Sequence, residues 1–490
     1  MKRINQILPV FVAGIFYIFC CQKALGQKKP AAPGYARVIL AVDTKTRGIS
    51  IPDDFSGLSF ETGSERNGNA SVKGHFFDPA NQQALLLFKQ LGIKHLRVGG
   101  GSVDIKNIEP TKTDIDRLFE FAKAADLKIL YSFRLLNGNA TANAAIAKYI
   151  WDKYRSNLEC FSIGNEPDWR SYHLTDPEIT DYPTYYSKWK RFQKAIIDSV
   201  PPAMFTGPET GSNYPVTGAK NTNYNNRSWT VNFADNEKGS KNIVYISQHN
   251  YAGQEATGKP IHEVIDQMLS AVFDTSYYPA LYTNNLEPVL KDGFKYRMTE
   301  SNSFSGEVNG ASNSFAAALF ALDYMHWWAQ HNCSGVNFHN KQWVRNAPIY
   351  KDATGNFNIY PIGYGIKAFD IGGHGQTKPV KIINTEGINL TAYAVQNSTG
   401  LYITIINKTH DTTARDAQIT LKQWGNYKKA TTLMLTAPNN DVTTTTGITL
   451  GGAAISNTEP WQGKWTDTPV RSGKWSIRVP AASAVIVKVY

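Results

Sequence analysis

The sequence predicts an α/β protein: a (β/α)8 barrel followed by a small antiparallel β-sandwich. Between residue 55 and about residue 370, short apolar runs alternate with amphipathic stretches, the pattern of βα units repeated around a parallel sheet. After Phe369 the runs become β-rich, separated by clusters of Gly, Asn, Asp and Thr, which reads as an all-β module of roughly 110 residues. A chain of 490 residues has room for both, since barrels often exceed about 250 residues as one unit.

Residues 1–26 read as a signal segment. Lys2 and Arg3 precede an apolar run from Ile7 to Phe19, and Ala24 and Gly26 supply small residues before a cut. The run is too short for a comfortable membrane span, so an exported protein with no membrane partner after cleavage is expected, secreted or periplasmic. Cys20 and Cys21 raise a lipoprotein alternative, which Phe19 disfavours because a lipid-attachment site wants a small residue there. Residues 27–54 contain "ARVILAV" and "RGISIP", predicted to lend a strand to the later sandwich.

The barrel is predicted over residues 55–371. Its candidate strands are "FSGLSF", "HLRVGG", "KILYSF", "ECFSIG", "AMFTGP", "VYISQH", "YRMTE" and "GVNFH", the count a closed eight-stranded barrel requires. Helical patterns such as "NQQALLLFKQLG", "TDIDRLFEFAKAADL", "IHEVIDQMLSAVF" and "SNSFAAALFALDYMHWWAQH" lie between them; the crossover near Trp229 to Lys238 carries the weakest pattern. Residues 372–490 hold "LTAYAVQ", "LYITIIN", "AQITLKQW", "ATTLMLT" and "SAVIVKVY", the strands of the sandwich.

Composition narrows the function. With 42% hydrophobic and 19% charged residues the chain is globular rather than disordered or fibrous. Removing Lys2, Arg3 and Lys23, and no acid, lowers the net charge from +11 to +8, a balance that suits an acidic polymer. The lysines are scattered without a run of five, so no nucleic-acid partner is expected. Cys160 and Cys333 read as buried small hydrophobes rather than a disulfide or metal pair. "VGGGSVD" lacks the GxGxxG spacing, and Walker, GxSxG and HExxH motifs are missing from the sequence. The ten histidines show no paired ligand spacing, so neither a metal nor a cofactor is expected.

Barrel enzymes place their chemistry at the carboxyl ends of the strands. Glu61, Arg97, Asn137, Asn165 with Glu166, His249 with Tyr251, Glu300 and His339 all follow strand runs directly. A structural account expects Gly, Asp, Ser or Asn there; two glutamates, in "SIGNEP" and "YRMTES", need another reason. Carboxylates on strands four and seven would face each other across the barrel mouth. A pair about 5–5.5 Å apart suits a retaining glycosidase. Glu166 would be the acid/base, its proton retained through burial and the charge of Glu300. Glu300 would be the nucleophile, kept ionised by Arg97, for which a structural ion pair is the compatible alternative.

These motifs resemble clan A glycoside hydrolases, and within them family 79, the heparanase-like and β-glucuronidase group. The resemblance rests on "FSGLSFE", "LRVGGGSVD", "GNEPD", "GPETG", "QHNYAG", "TES", "SFAAALFALDYM" and "YPIGYGIKAF", in that order along nearly the whole chain after the signal segment. It implies Glu166 as acid/base and Glu300 as nucleophile, with Glu61, Asn165, His249, Tyr251 and His339 as subsite residues and Tyr251 hydrogen-bonded to the nucleophile. The implied substrate is a carbohydrate, β-linked glucuronic acid in a polysaccharide or glycoconjugate.

One segment departs from the family pattern. In "ESNSFSGEVNG", Ser305 stands where the resemblance implies Tyr, and Glu307 where it implies Gly. A glutamate aimed at a uronate would repel it by about 4 kcal/mol at 4 Å under a surface-like dielectric. Either Glu307 turns outward and Lys341, Arg345 or Tyr350 captures the uronate, or the terminal sugar is neutral. A carbohydrate-binding protein without catalysis is the rival from another class, and both glutamates argue against it. The β module itself reads as structural rather than as a separate carbohydrate-binding domain.

Overall fold

A computed structural model describes residues 34–66, 75–169, 175–211, 223–253, 255–341, 345–422, 427–468, 470–471 and 474–490. The expected signal segment, residues 1–26, lies outside the described residues.

The first strand, β1 (Ala36–Val42), precedes the barrel. The barrel strands are β2 (Ser56–Glu61), β3 (His95–Gly99), β4 (Lys128–Phe133), β5 (Leu158–Ile163), β6 (Phe205–Thr210), β7 (Ile243–Tyr251), β8 (Tyr296–Asn302) and β9 (Cys333–His339). They close in sequence order, with β9 pairing back onto β2 from Val336 against Ser56 to His339 against Ser59. All eight coincide with the predicted runs. The near-continuous burial of each strand explains why they read as unbroken apolar stretches rather than alternating ones.

Between the strands lie α1 (Gln82–Gln90), α2 (Lys112–Ala125), α3 (Ala140–Tyr154), α4 (Tyr182–Ser199), α5 (Trp229–Glu237), α6 (Ile261–Met268), α7 (Phe315–Gln330) and α8 (Ile362–Gly372). Their starts carry chemical reasons: Thr111 and Asp114 form a reciprocal capping box on α2, and Asp181 caps α4 ahead of Pro183. The weakly patterned fifth crossover is α5, begun by Ser228, whose hydroxyl accepts the Val231 N–H at 3.3 Å. The helix predicted to run to Phe273 stops at Met268. Beyond it the chain passes through turns of α and π geometry that contain Pro279 and Pro288, which donate no backbone hydrogen bond.

Two sheets form the β module. One orders Val380–Ile383 (β10), β1, Ala417–Lys422 (β13) and Lys474–Val479 (β15); the other orders Leu390–Asn397 (β11), Gly400–Asn407 (β12), Ser483–Val489 (β16) and Ala430–Thr436 (β14). Their facing apolar residues, among them Val38, Leu40, Ile403, Ile419 and Val485, make a core of their own. The strand from ahead of the barrel thus belongs to this sheet. Its pairing with β13 is parallel, with Ala36 beside Ala417; a strand joined through the whole barrel is not held to hairpin connectivity.

Every residue of α7 from Phe315 to Ala329 is buried, as α8, the barrel strand β9 and the β module all pack against it. Asp323 on α7 accepts hydrogen bonds from Thr391 and Tyr393 of β11 at 2.6 and 2.7 Å. It also pairs at 2.6 Å with Lys408, which in turn meets Asp274 on the barrel side. Against α7 lies α8; a side chain at Gly365 would sit 2.1 Å from the Ala318 carbonyl oxygen, so only glycine permits this helix contact.

Candidate active site

The carboxyl end of the barrel gathers a cluster of buried polar groups. The chain leaves β5 through Gly164 and Asn165, and Glu166 then takes a left-handed backbone conformation, φ 50°. That costs a non-glycine residue energy, and the surroundings hold it: the Glu166 N–H donates to the Glu209 carbonyl at 2.8 Å, and Trp169 N–H donates back to the Glu166 carbonyl at 3.1 Å. The turn carries the Glu166 carboxyl off the strand axis and over the barrel mouth.

Arg97, the middle residue of β3 and fully buried, is the hub. One guanidinium nitrogen donates to Glu300 Oε2 at 2.6 Å and to Ser59 at 3.2 Å. The other donates to Asn165 Oδ1 and Glu209 Oε2, both at 2.7 Å. Glu300, at the end of β8, also accepts the Tyr251 hydroxyl on Oε1 at 2.7 Å, so both of its oxygens are held. His249 lies between two carboxylates, Nδ1 at 2.9 Å from Glu166 Oε1 and Nε2 at 2.9 Å from Glu209 Oε2. An oxygen of Glu166 and an oxygen of Glu300 lie within 4.8 Å of each other and of a His249 nitrogen. Three such atoms are spaced as ligands of one cation would be, yet Arg97 and Tyr251 already bind Glu300 and His249 already binds Glu166.

This geometry pushes the two carboxyls apart in proton affinity. Burial holds Glu166 above the usual carboxylate range and the charge of Glu300 adds to this, against the opposing pull of His249. Burial would raise Glu300 as well, but His339, His249, Arg97 and the Tyr251 hydroxyl overcome it and hold it well below that range. His249 itself, despite burial, is raised to about 9 by its bonds to Glu166 and Glu209. One carboxyl therefore retains a proton where the other is ionised, the division that acid-assisted displacement requires. The Glu166 side chain is 24% accessible and that of Glu300 8%, so burial acts on both and the cations around Glu300 separate them.

Of the remaining predicted residues, Glu61 accepts the Ser102 N–H at 2.8 Å, with His339 Nε2 at 3.4 Å and Lys341 Nζ at 3.6 Å from its other oxygen. His339 Nδ1 stands 3.6 Å from Glu300, which joins this group to the glutamate pair. Asn137 is not brought to the cluster. It is an exposed, left-handed turn residue whose side chain donates to the Thr175 carbonyl at 3.0 Å and whose N–H donates to Asp176 at 2.8 Å. Tyr350 also stands apart, on a hairpin of Ile349–Lys351 with Phe357–Ile359, stacked on Tyr360 at 4.1 Å and facing a crevice lined by Leu87, Tyr364 and Ile455. Glu307 is paired with Arg345 at 2.7 Å, so the repulsive charge and one candidate uronate partner neutralise each other.

Glu209, within "GPETG", is a site residue that the sequence reasoning does not single out. It is the buried carboxylate that holds Arg97 and His249 together. The rule that singles out Glu166 and Glu300, a glutamate at a strand's carboxyl end, applies to it equally. Asp104 is likewise a structural finding. It accepts backbone N–H groups from Leu135, Leu136 and Asn165, tying three loops together, and burial raises its carboxyl to about 6.

Comparison with known proteins fits this picture. Residues 392–486 match the family model described as the glycosyl hydrolase family 79 C-terminal beta domain. The chain also superposes on a crystal structure of a 4-O-α-L-rhamnosyl-β-D-glucuronidase from Fusarium oxysporum at a TM-score of 0.72 and 15% identity, covering 92% of this chain and 100% of that one. A GH51 arabinofuranosidase from Xanthomonas axonopodis pv. citri gives 0.66 and 13% identity, covering 93% and 100%. The family 51 α-L-arabinofuranosidase AbfB from Bifidobacterium longum gives 0.66 and 14%, covering 92% and 99%. No curated protein matches the chain by sequence. The superpositions show the barrel-plus-sandwich fold. The family 79 match lies wholly within the β module.

Proposed function

We propose that the protein is an exported retaining β-glycosidase that hydrolyses β-glucuronide linkages of a polysaccharide or glycoconjugate. The observation that carries this reading is the glutamate pair, oxygens within 4.8 Å and proton affinities pushed in opposite directions. Retaining enzymes hold their carboxyls about 5–5.5 Å apart, while inverting ones leave about 6.5–9.5 Å for a water. Glu300 attacks the anomeric carbon as Glu166 gives its proton to the departing oxygen; Glu166 then takes a proton from the water that releases the sugar. Tyr251 and Arg97 hold the nucleophile in line, and Arg97, His249 and Glu209 keep the surrounding charges paired.

The family 79 β module and the glucuronidase named among the structural relatives favour a uronic acid. A neutral terminal sugar is the second reading, favoured by the engagement of Arg345 with Glu307 and by the Glu61 carboxylate beside Lys341. Aryl β-glucuronide, β-glucoside and β-galactoside, assayed side by side, separate the two: cleavage of a neutral glycoside with none of the glucuronide defeats the first. Proton NMR of the first product gives the anomer, and retention is expected. Glu300→Ala is expected to lower kcat/KM at least about a thousandfold, about 4 kcal/mol of transition-state stabilisation. Undiminished turnover would show the site to be misassigned. Export is tested by sequencing the N-terminus of protein recovered outside the cytoplasm, with a start at Gln27 expected.

A further inference from the structure

Glu166 forms part of the wall of a cavity of about 320 Å3 lined also by Gly101, Asp104, Ile105, Leu136, Asn165 and Trp169. Two of those residues are unusual. Trp169 and Ile105 each stand 51% exposed, and among the large hydrophobic side chains of the described residues only Val272, at 59%, is more so. An isolated exposed apolar residue needs no explanation, but two flanking one cavity beside a proton-holding carboxyl do.

The indole belongs to this wall by construction. A side chain at Gly211 would lie 2.2 Å from Trp169 Nε1 and 2.7 Å from the Glu166 carboxyl carbon, so glycine lets indole and carboxyl stand side by side. The turn is closed by the Trp169 N–H bond to the Glu166 carbonyl and by the Gly211 N–H bond to Asp168 at 3.1 Å. Ile105 follows Asp104, whose carboxylate ties the Leu136 and Asn165 backbones to its own loop. The cavity is therefore a braced cleft whose lining includes a flat aromatic side chain and a branched aliphatic one.

We propose that this cavity is the leaving-group subsite, and that it takes a flat ring with an apolar face against Trp169 and Ile105. This rests on the glycosidase reading. In the first step the bond from the anomeric carbon to Glu300 forms as the bond to the glycosidic oxygen breaks, and the Glu166 proton goes to that oxygen. Whatever carries the oxygen must lie on the Glu166 side, where this cavity is. The C–H face of a pyranose and the face of an aryl ring share the required chemistry, since both stack on an indole.

The test measures kcat/KM of the full chain and of Trp169→Ala on three substrates of whichever glycosyl series the wild type cleaves: a disaccharide with a pyranose leaving group, an aryl glycoside, and the glycosyl fluoride. The expected result is a loss of about tenfold on the ring-bearing substrates, with the fluoride changed less than about twofold. A loss on the disaccharide alone assigns the subsite to a sugar; a loss on the aryl glycoside alone assigns it to an aromatic aglycone. An equal loss on all three, or none on either ring, overturns the inference while leaving the hydrolase intact. If the wild type cleaves none of the series, the hydrolase reading falls and takes the inference with it. Ile105→Ser supplies a second variant, expected to show the same selectivity with a smaller loss; an unchanged thermal transition in both variants excludes a folding defect.

Discussion

His249 shows how one side chain serves both glutamates. Its imidazole is held between Glu166 and Glu209 and carries a proton past neutrality, because the Glu166 carboxyl and the Glu209 carboxylate each hydrogen-bond one of its nitrogens and Glu300 adds its charge. Its charge lowers the proton affinity of Glu166 and of Glu300 alike. The active form needs Glu300 ionised, a condition lost as pH falls through its depressed pKa, and Glu166 protonated, a condition lost as pH rises through its raised one. Replacing His249 with Asn removes the charge that lowers both. Both limbs of the kcat/KM profile are therefore expected to move to higher pH, and a profile whose limbs stay in place would contradict the assigned electrostatics. The pairing of Glu166 with Glu300 was legible as residue type and position, because a carboxylate at the end of a short apolar strand has no structural reason to be there. Glu209 obeys the same rule yet became visible only once Arg97 and His249 were seen to converge on it.

Among the elements, α7 has the most distinctive role. It is apolar on all sides because it is enclosed between barrel and sandwich, and its one carboxylate, Asp323, is answered from the β module by Lys408, Thr391 and Tyr393. Lys408 is also paired with Asp274, so Lys408→Ala leaves two carboxylates buried without a cation. Removing one partner of a buried pair costs about 3–5 kcal/mol, and a loss of that order in chemical denaturation is expected. A variant as stable as the wild type would show that the triad contributes nothing net. The run "SFAAALFALDYMHWWAQH" was legible as a helix, but which two surfaces enclose it was not, since apolar character on every face records burial without naming what buries it. The early end of α6 was hidden because Pro279 and Pro288, within the irregular turns after it, lie 11 and 20 residues beyond its last residue, Met268, about three helical turns and more.

At the scale of the molecule, β1 ties the chain ahead of the barrel into the sheet behind it, and α7 lines the seam between the two modules. A chain ending at Ile371 would leave β1 without β10 and β13 and would expose the outer face of α7. It is expected to be insoluble or inactive, as judged by expression and assay; a soluble, active barrel would show the β module to be dispensable. The order of amino acids suffices for the alternation of strand and helix, the closure into eight, the β-rich ending and the two glutamates, because each is a local pattern of side-chain period or residue type. The folded chain alone settles the approach of Glu166 and Glu300 to within 4.8 Å, the removal of Asn137 and Tyr350 from the cluster, the pairing of Glu307 with Arg345 and the parallel placement of β1. Those depend on where loops from different strands meet, and loop conformation is set by capping, turn and ion-pair partners far apart in the chain, which no local pattern records.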